Sequence, residues 1–526
     1  MKGLVAWGGA LAASVCWAEM EFATPESQGV DSAAIANWIR ACERTFDAGK
    51  AGALHGFTIV RHGKTIAEGS WKPFDTLNET HMLYSHSKSF TATAVGFLVD
   101  EGKLDLDERL VDIFRDELPD AVSAKMLQMR VRDLLTMNDG MNPIDVCTAH
   151  PEGDWVKAFL SAPVRVNPGE RFKYDSSATY MLASVVERRT GRKLLDFLDE
   201  RLFSKLGIRG VWTTTSPQGT ACGGWGMNMT TRDLAKFGQL YLQKGVWNGE
   251  HLLSPDWVTL ASTRQTWSGW IYVGAQKIGS GTDWEQGYGF QFWRCRHNCY
   301  RADGAAGQLT VVMPDQDAVV SVHAGLGDMQ KELDLIWDIL LPAMKPGALP
   351  EDAAAQAALR EQIAALAIAP LKGVRETPDA LLGDYAVAPN LRGVRALRLT
   401  ADADGWQLRF CARSRAVTFP IGFGTWKNGS VCIDPEQYES LGALIGTQPV
   451  ASSGAVDTNG ALCVRTYLTG TPAYLNFRFS LRDGRRVVDG DIWGMHGSEF
   501  HGEATSADPQ LWGRESLAPC AEEVGR

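Results

Sequence analysis

The chain has 526 residues, 45% hydrophobic and 22% charged, which excludes a largely disordered or collagen-like polypeptide. At about 100–200 residues per domain, this length accommodates roughly two to four domains. The formal charge of −10, from 52 basic against 62 acidic side chains, gives no overall basic field for phosphate backbones or anionic lipid, so nucleic acid is not an expected partner.

The N-terminus reads as an export signal. Lys2 supplies a positive start, Gly3 to Val15 is apolar, and Cys16-Trp17-Ala18 offers a small-x-small cleavage pattern, which predicts residues 1–18 as a signal peptide cut after Ala18. The apolar run is shorter than the about 20 residues that span a bilayer, and no later segment reads as a membrane span. The expected location is therefore periplasmic or secreted. Ten cysteines are present; without Cys16 the count is odd, so an oxidising compartment leaves at least one unpaired within a monomer. Cys295 and Cys299 flank a turn-like Arg296-His297-Asn298, and a local disulfide between them is expected. Zinc is a weaker reading, because no second close Cys/His pair and no H-E-x-x-H accompany them.

Along the chain, Phe57–Arg61 and Thr65–Gly69 read as a strand pair around His62-Gly63-Lys64. Helical spacing follows over 88–101, 130–137, 179–200 and 231–244. Strand-like text then covers Gly287–Arg294, Tyr300–Ala302, Gln308–Met313 and Ala318–His323, and a helix over 329–341 closes this region. That order predicts an α+β unit in which both chain ends return to one sheet. Residues 343–376 read as a linker containing an Ala-rich helix over 353–367. From 377 to about 510, short strand-like runs broken by Gly, Asp and Asn predict a separate antiparallel sheet or barrel.

The sharpest local feature is Tyr84-Ser85-His86-Ser87-Lys88 at the start of the 88–101 helix. The S-x-x-K spacing brings Ser85 and Lys88 to one helical face. A serine hydroxyl is a weak nucleophile until a neighbour takes its proton, and a desolvated lysine can serve. The plainer alternative is a helix-capping serine beside a solvated lysine.

Further text gives that motif a context. Tyr84-Ser-His-Ser-Lys-Ser-Phe90, Arg132-Asp-Leu-Leu-Thr-Met137, Asn167-Pro-Gly-Glu170 leading to Tyr174-Asp-Ser176, Gly226-Met-Asn-Met-Thr-Thr-Arg-Asp-Leu-Ala-Lys-Phe-Gly238, and Tyr288-Gly-Phe290 leading to Asp303-Gly-Ala-Ala-Gly-Gln308 occur in one order. Over roughly residues 22–342 the chain resembles the serine β-lactamase and penicillin-binding-protein superfamily. The likeness is strongest to its class C β-lactamase-like hydrolases, with D-amino-acid peptidases, carboxylesterases and 6-aminohexanoate-dimer hydrolases among the relatives. The resemblance implies an α/β sandwich around a central antiparallel sheet with a helical subdomain, assigned to residues 19–342.

It also implies roles. Ser85 corresponds to the acylated nucleophile, Lys88 to its activating partner and Tyr174 to the tyrosine of a Y-x-N motif, a general base that later protonates the leaving group. Ser176 stands where the family often has Asn, so it offers a hydroxyl in place of an amide to orient substrate. The oxyanion would rest on the backbone N–H groups of Ser85 and Ala305, with Gly304 giving close substrate approach. At the third motif, where many members carry Lys-Thr-Gly or His-x-Gly, this chain has Ala302-Asp303-Gly304. If Asp303 faces the site it favours a substrate amine over an anion; if it turns away it is a structural hydrogen-bonder. Arg301 is the residue that would restore a positive charge. His86, His297 and His323 have no place in a Ser/Lys/Tyr mechanism.

The function this predicts is an exported serine hydrolase of small ester, amide or peptide substrates, with no metal or organic cofactor. Two other readings remain: a β-lactamase or D-Ala-type peptidase, and a catalytically inactive peptidoglycan-binding or interaction protein. No G-x-S-x-G is present to supply an α/β-hydrolase elbow. Of the 18 Trp, Trp225, Trp267, Trp270, Trp284 and Trp293 lie near the segment between the second and third motifs, as candidate walls of an apolar pocket.

Overall fold

The computed structural model describes residues 20–46, 52–141, 153–269, 281–373, 379–402, 405–413, 415–433, 446–493, 498–505 and 514–515. The expected signal segment and Trp270 lie outside these residues. Strands β1 (Gly52–Arg61) and β2 (Lys64–Ser70) form the first hairpin. Two short ladders follow, β3 (His81–Met82) with β4 (Asn228–Met229), and β5 (Val246–Trp247) with β6 (Glu250–His251). The chain then returns through β7 (Trp293–Arg294), β8 (Tyr300–Gly304), β9 (Gln308–Met313) and β10 (Ala318–Leu326) to complete a six-stranded sheet of order β2-β1-β10-β9-β8-β7. All pairings in it are antiparallel.

Burial explains why β1 and β10 read as near-continuous apolar text. Every residue of both strands is buried, because helices cover both faces. Phe57, Ile59, Val320 and Val322 face the Ser32–Thr45 helix, where Trp38 meets Phe57 edge-on at 5.2 Å. Val60 and Val319 face the opposite way, onto Ala235 of the Thr231–Leu242 helix. The second face continues into a larger helical core built on the Ser87–Asp100 and Ser176–Thr190 helices. The chain is thus an α+β sandwich with a helical subdomain, as its element order predicts.

Two local expectations are revised. The helical text over 179–200 breaks at Gly191, whose φ of 66° ends the Ser176–Thr190 helix before a second begins at Leu194. Of Gly287–Arg294 only Trp293–Arg294 is strand, since Gly287 and Gln291 take φ of 106° and 62° and turn the backbone off the sheet.

The expected linker carries a helix at Ala353–Ala364, capped by Asp352. After it come β11 (Gly383–Val387), β12 (Val394–Asp402), β13 (Gly405–Ala412), β14 (Arg415–Phe423), β15 (Lys427–Ile433), β16 (Gly446–Val456), β17 (Leu462–Leu468), β18 (Tyr474–Arg482), β19 (Arg485–Trp493) and β20 (Ser498–Ala504). Neighbouring strands pair in the order β15-β16-β17-β18-β19-β20-β11-β12-β13-β14, and a β14–β16 pairing closes the barrel. A last strand, β21 (Arg514–Glu515), adds to β14. Inward residues such as Leu397, Phe410, Phe419, Phe477 and Phe479 fill the barrel interior.

The barrel docks on the segment that follows β2 through aromatic side chains. Tyr467 is buried against Phe74 at 5.2 Å, Trp426 at 5.4 Å and Tyr474 at 5.6 Å. Its β17–β18 turn also reaches the strand that precedes Ser85, where Met82 N donates to Gly470 O at 2.8 Å. Among the described residues, no helix is long and apolar enough to cross a membrane. Truncating Tyr467 to Ala removes the centre of the docking cluster and is expected to cost about 3–5 kcal/mol in denaturant unfolding. A loss under about 1 kcal/mol would mean that the barrel contributes no packing energy to the rest of the chain.

Candidate active site

Ser85 sits in a single tight turn, Tyr84–His86, that runs straight into the Ser87–Asp100 helix. Tyr84 takes a φ of 47°, an uncommon conformation for a bulky side chain. The surrounding contacts hold it there: Ser87 Oγ donates to Tyr84 O at 2.7 Å and accepts from Met227 N at 3.2 Å, while Leu83 N donates to Met227 O at 2.9 Å. The spacing reading of S-x-x-K thus holds geometrically, across the junction between the turn and the helix.

Lys88 is 1% exposed, and its ammonium has three acceptors around it. Nζ donates to Ser85 Oγ at 3.1 Å, Ser176 Oγ at 3.0 Å and the Gly224 carbonyl at 2.7 Å. It also lies 4.8 Å from the centre of the Tyr174 ring. The Tyr174 side chain is near enough to Ser85 to interact with it, so Ser85, Lys88 and Tyr174 form one cluster. Burial pushes the Tyr174 phenol above its ordinary range; the interaction with Ser85 pulls the other way, Asp303 adds to the rise, and Arg301 opposes it.

Ser176, the first residue of the Ser176–Thr190 helix, contacts Lys88 directly. Its hydroxyl therefore helps to hold the ammonium. The Gly224 carbonyl was not foreseen, because a backbone oxygen has no residue signature; the only hint was the glycine-rich Gly223-Gly224-Trp225-Gly226.

The edge of β8 closes one side. A Cβ on Gly304 would lie 2.0 Å from the Leu83 carbonyl, so only glycine lets this strand approach the segment that leads into Ser85. Ala305, Ala306 and Gly307 then form the β8–β9 turn, with Ala306 and Gly307 at φ of 65° and 89°. Asp303 does not stand free and is not turned away from the site's aromatic wall. It and Arg301 share one face of β8, and Arg301 Nε donates to Asp303 Oδ2 at 2.6 Å with both side chains buried. Arg301 packs 4.2 Å over Trp284 and 5.7 Å from Trp293. Trp293 in turn stacks on Tyr174 at 5.6 Å and meets Trp284 edge-on at 5.2 Å. Trp225 packs near Trp155 instead, and Trp267 is 58% exposed beneath Arg264.

The expected Cys295–Cys299 disulfide is absent: both are free, buried thiols. Their sulfurs are directed to different partners, Cys295 Sγ accepting from Arg301 Nη1 at 3.1 Å and Cys299 Sγ donating to the His297 carbonyl at 3.2 Å. Cys432 is disulfide-bonded. Among the described residues, no group of His, Cys, Asp and Glu is arranged to hold a metal.

A family model described as Beta-lactamase matches residues 39–340, more than half of the chain. The fold and this match define the class, an α+β sandwich of the β-lactamase type with an added C-terminal barrel. The chain belongs to the Beta-lactamase family. It is 29% identical over 218 residues to a 6-aminohexanoate-dimer hydrolase of Paenarthrobacter ureafaciens, covering 38% of this chain and 55% of that protein. It is 27% identical over 198 residues to a D-aminopeptidase of Brucella anthropi, covering 34% of this chain and 35% of that protein. The chain therefore spans about half the length of the first relative and about a third of the second. A solved structure from Bacillus anthracis, assigned as a 6-aminohexanoate-dimer hydrolase, shares the fold with a TM-score of 0.50 at 18% identity, over 64% of this chain and 89% of that one.

The histidines near the site are buried and neutral. His86 stacks on Phe90 at 5.8 Å, and burial pushes its pKa down to about 3, with only the Gln308 backbone favouring the charged form. An unfolded chain binds this proton below about pH 6.5, and the folded chain does not until far lower. His86 thus leaves stability intact above that pH and erodes it as pH falls. Relative to the parent, His86→Leu is expected to gain stability by about 1.4 kcal/mol per pH unit between pH 6.5 and 5, measured by urea unfolding. A difference independent of pH would contradict a buried neutral ring.

Proposed function

We propose that this chain is an exported serine hydrolase that cleaves amide or ester bonds through an acyl-enzyme on Ser85. The observation that carries the proposal is Ser85 Oγ 3.1 Å from the buried Lys88 Nζ, with the Tyr174 ring 4.8 Å from the same nitrogen. Ser85 Oγ attacks the substrate carbonyl carbon as its proton passes to Tyr174. Tyr174 takes that proton in its minor, phenolate form, and Lys88, buried beside the ring, stabilises the negative charge that the phenol oxygen carries before it is protonated and again after it gives the proton up. The oxyanion is received by the N–H groups of Ser85 and Ala305. Tyr174 then gives its proton to the departing amine or alcohol, and water releases the acyl group by the reverse path.

The names of the two relatives, a 6-aminohexanoate-dimer hydrolase and a D-aminopeptidase, support amides and short peptides as the substrate class. The Arg301–Asp303 pair favours the same choice over β-lactams. Its charges cancel within the pair, so a substrate carboxylate finds no free cation on β8 and an amine finds no free carboxylate. An uncharged group is the best match to this edge and to the Trp284–Trp293 wall. Intact Ser85, Lys88 and Tyr174 weigh against an inactive binding module.

Intact-mass spectrometry after exposure to a fluorophosphonate tests the nucleophile. Wild type gains one adduct and Ser85→Ala gains none; an unlabelled, folded wild type supports the binding-module reading. Asp303→Ala tests the neutral edge. It leaves Arg301 without its carboxylate, and kcat/KM for a carboxylate-bearing amide is expected to rise about tenfold relative to its methyl ester, roughly 1.4 kcal/mol of discrimination. An unchanged ratio in a folded variant contradicts the assignment of β8 to substrate contact.

A further inference from the structure

An oxyanion hole works only if its N–H groups are fixed before the negative charge forms, because their reorientation would otherwise add to the barrier. One of the two assigned donors, Ala305, belongs to a three-residue turn whose next residues take left-handed conformations. Such a turn needs support from outside the strand ladder. Gly304 pairs with Gln308 across the base of the turn, which fixes the peptide before Ala305. The peptides after it are fixed by a side chain.

That side chain is Gln308, which is fully buried. Its Nε2 faces three carbonyls, Ala305 O at 3.2 Å, Ala306 O at 3.2 Å and Ala324 O at 2.6 Å. Three acceptors settle which end of the carboxamide is nitrogen, since an oxygen there would meet only other oxygens. The carboxamide oxygen is therefore left to face His323 Nδ1 at 2.9 Å, which must carry a hydrogen. The other ring nitrogen of His323 packs 3.1 Å from Met229 O in β4, with no hydrogen to donate once Nδ1 carries the ring's single hydrogen. Strand β4 pairs with β3, through His81↔Met229 and Met82↔Asn228, and β3 leads within a few residues to Ser85. Strand β9, which Gln308 opens, also packs against the Tyr84–His86 turn that holds Ser85. One buried chain of contacts thus joins the Ala305 turn to the segment that carries Ser85.

We propose that Gln308 is a positioning residue for the oxyanion hole, its carboxamide fixing the Ala305–Gly307 turn and, through His323, setting that turn against the nucleophile strand. This rests on the serine-hydrolase reading and goes beyond it, because Gln308 touches neither substrate nor nucleophile side chain. Gln308→Met keeps length and volume while removing every hydrogen bond. With a p-nitrophenyl ester, kcat is expected to fall about 10²-fold while KM changes less than about threefold, since the donors act on the transition state. The second readout is the ester-to-thionoester kcat ratio. Sulfur accepts weakly from N–H donors, so wild type discriminates strongly and Gln308→Met is expected to lose most of that discrimination.

If Gln308→Met does not fold, His323→Leu is judged by the same ratio, with a loss of about tenfold in ester kcat expected. Equal loss on ester and thionoester, or a loss matching the fraction unfolded, overturns the proposal and leaves Gln308 a structural residue. Failure of the serine-hydrolase reading itself appears differently, as wild-type protein that neither turns over the ester nor takes a fluorophosphonate on Ser85.

Discussion

A buried ammonium is the constraint on which the rest of the site depends. Lys88 is almost wholly out of water, and an unpaired charge there would cost several kcal/mol. The fold meets that cost with three acceptors drawn from three separate parts of the chain: Ser85 beside it, Ser176 at the start of another helix, and the Gly224 carbonyl in a glycine-rich segment. The same contacts that make Lys88 tolerable also fix Ser85, the nucleophile of the proposed reaction, and hold the start of the Ser176–Thr190 helix beside it. Stability and chemistry are the same set of hydrogen bonds here.

Around that centre the charges are arranged to cancel. Arg301 and Asp303 neutralise each other on β8, and burial pushes His81 and His86 towards the uncharged form. Lys88 Nζ, at 3.1 Å, is the charged group in direct contact with Ser85 Oγ. The aromatic wall of Trp293, Trp284 and Tyr288 keeps the low-dielectric setting in which the field of that charge has most effect.

Much of this was legible in the sequence, for identifiable reasons. The Ser85–Lys88 spacing is local, so helical geometry alone brings the pair together. The order of strands and helices followed from periodicity, and the C-terminal barrel from short strands separated by turn residues. Tyr174 and Ser176 could be tied to Ser85 only by resemblance, since nothing local joins residues so far apart. The Cys295–Cys299 disulfide failed because closeness in sequence says nothing about sulfur direction, and Arg301 and the His297 carbonyl claim the two sulfurs. Asp303 was open in the sequence because its partner is two residues away on the same strand face, a contact that alternation permits but does not require. The contacts of Gly224 and Gln308 were not legible: Gly224 acts through its backbone, and Gln308, though it closes the third motif, meets three carbonyls only in the folded chain.

The central claim is that Ser85 is acylated with the proton passing to Tyr174 beside a buried Lys88. The most direct measurement is acid quenching of the protein during turnover of a p-nitrophenyl ester, followed by peptide mapping of the acyl group. The account predicts an acyl adduct on the peptide bearing Ser85, formed within the burst of nitrophenol release and lost as turnover ends, with burst formation abolished in Tyr174→Phe. Turnover without an adduct, or an adduct on any other residue, would contradict it.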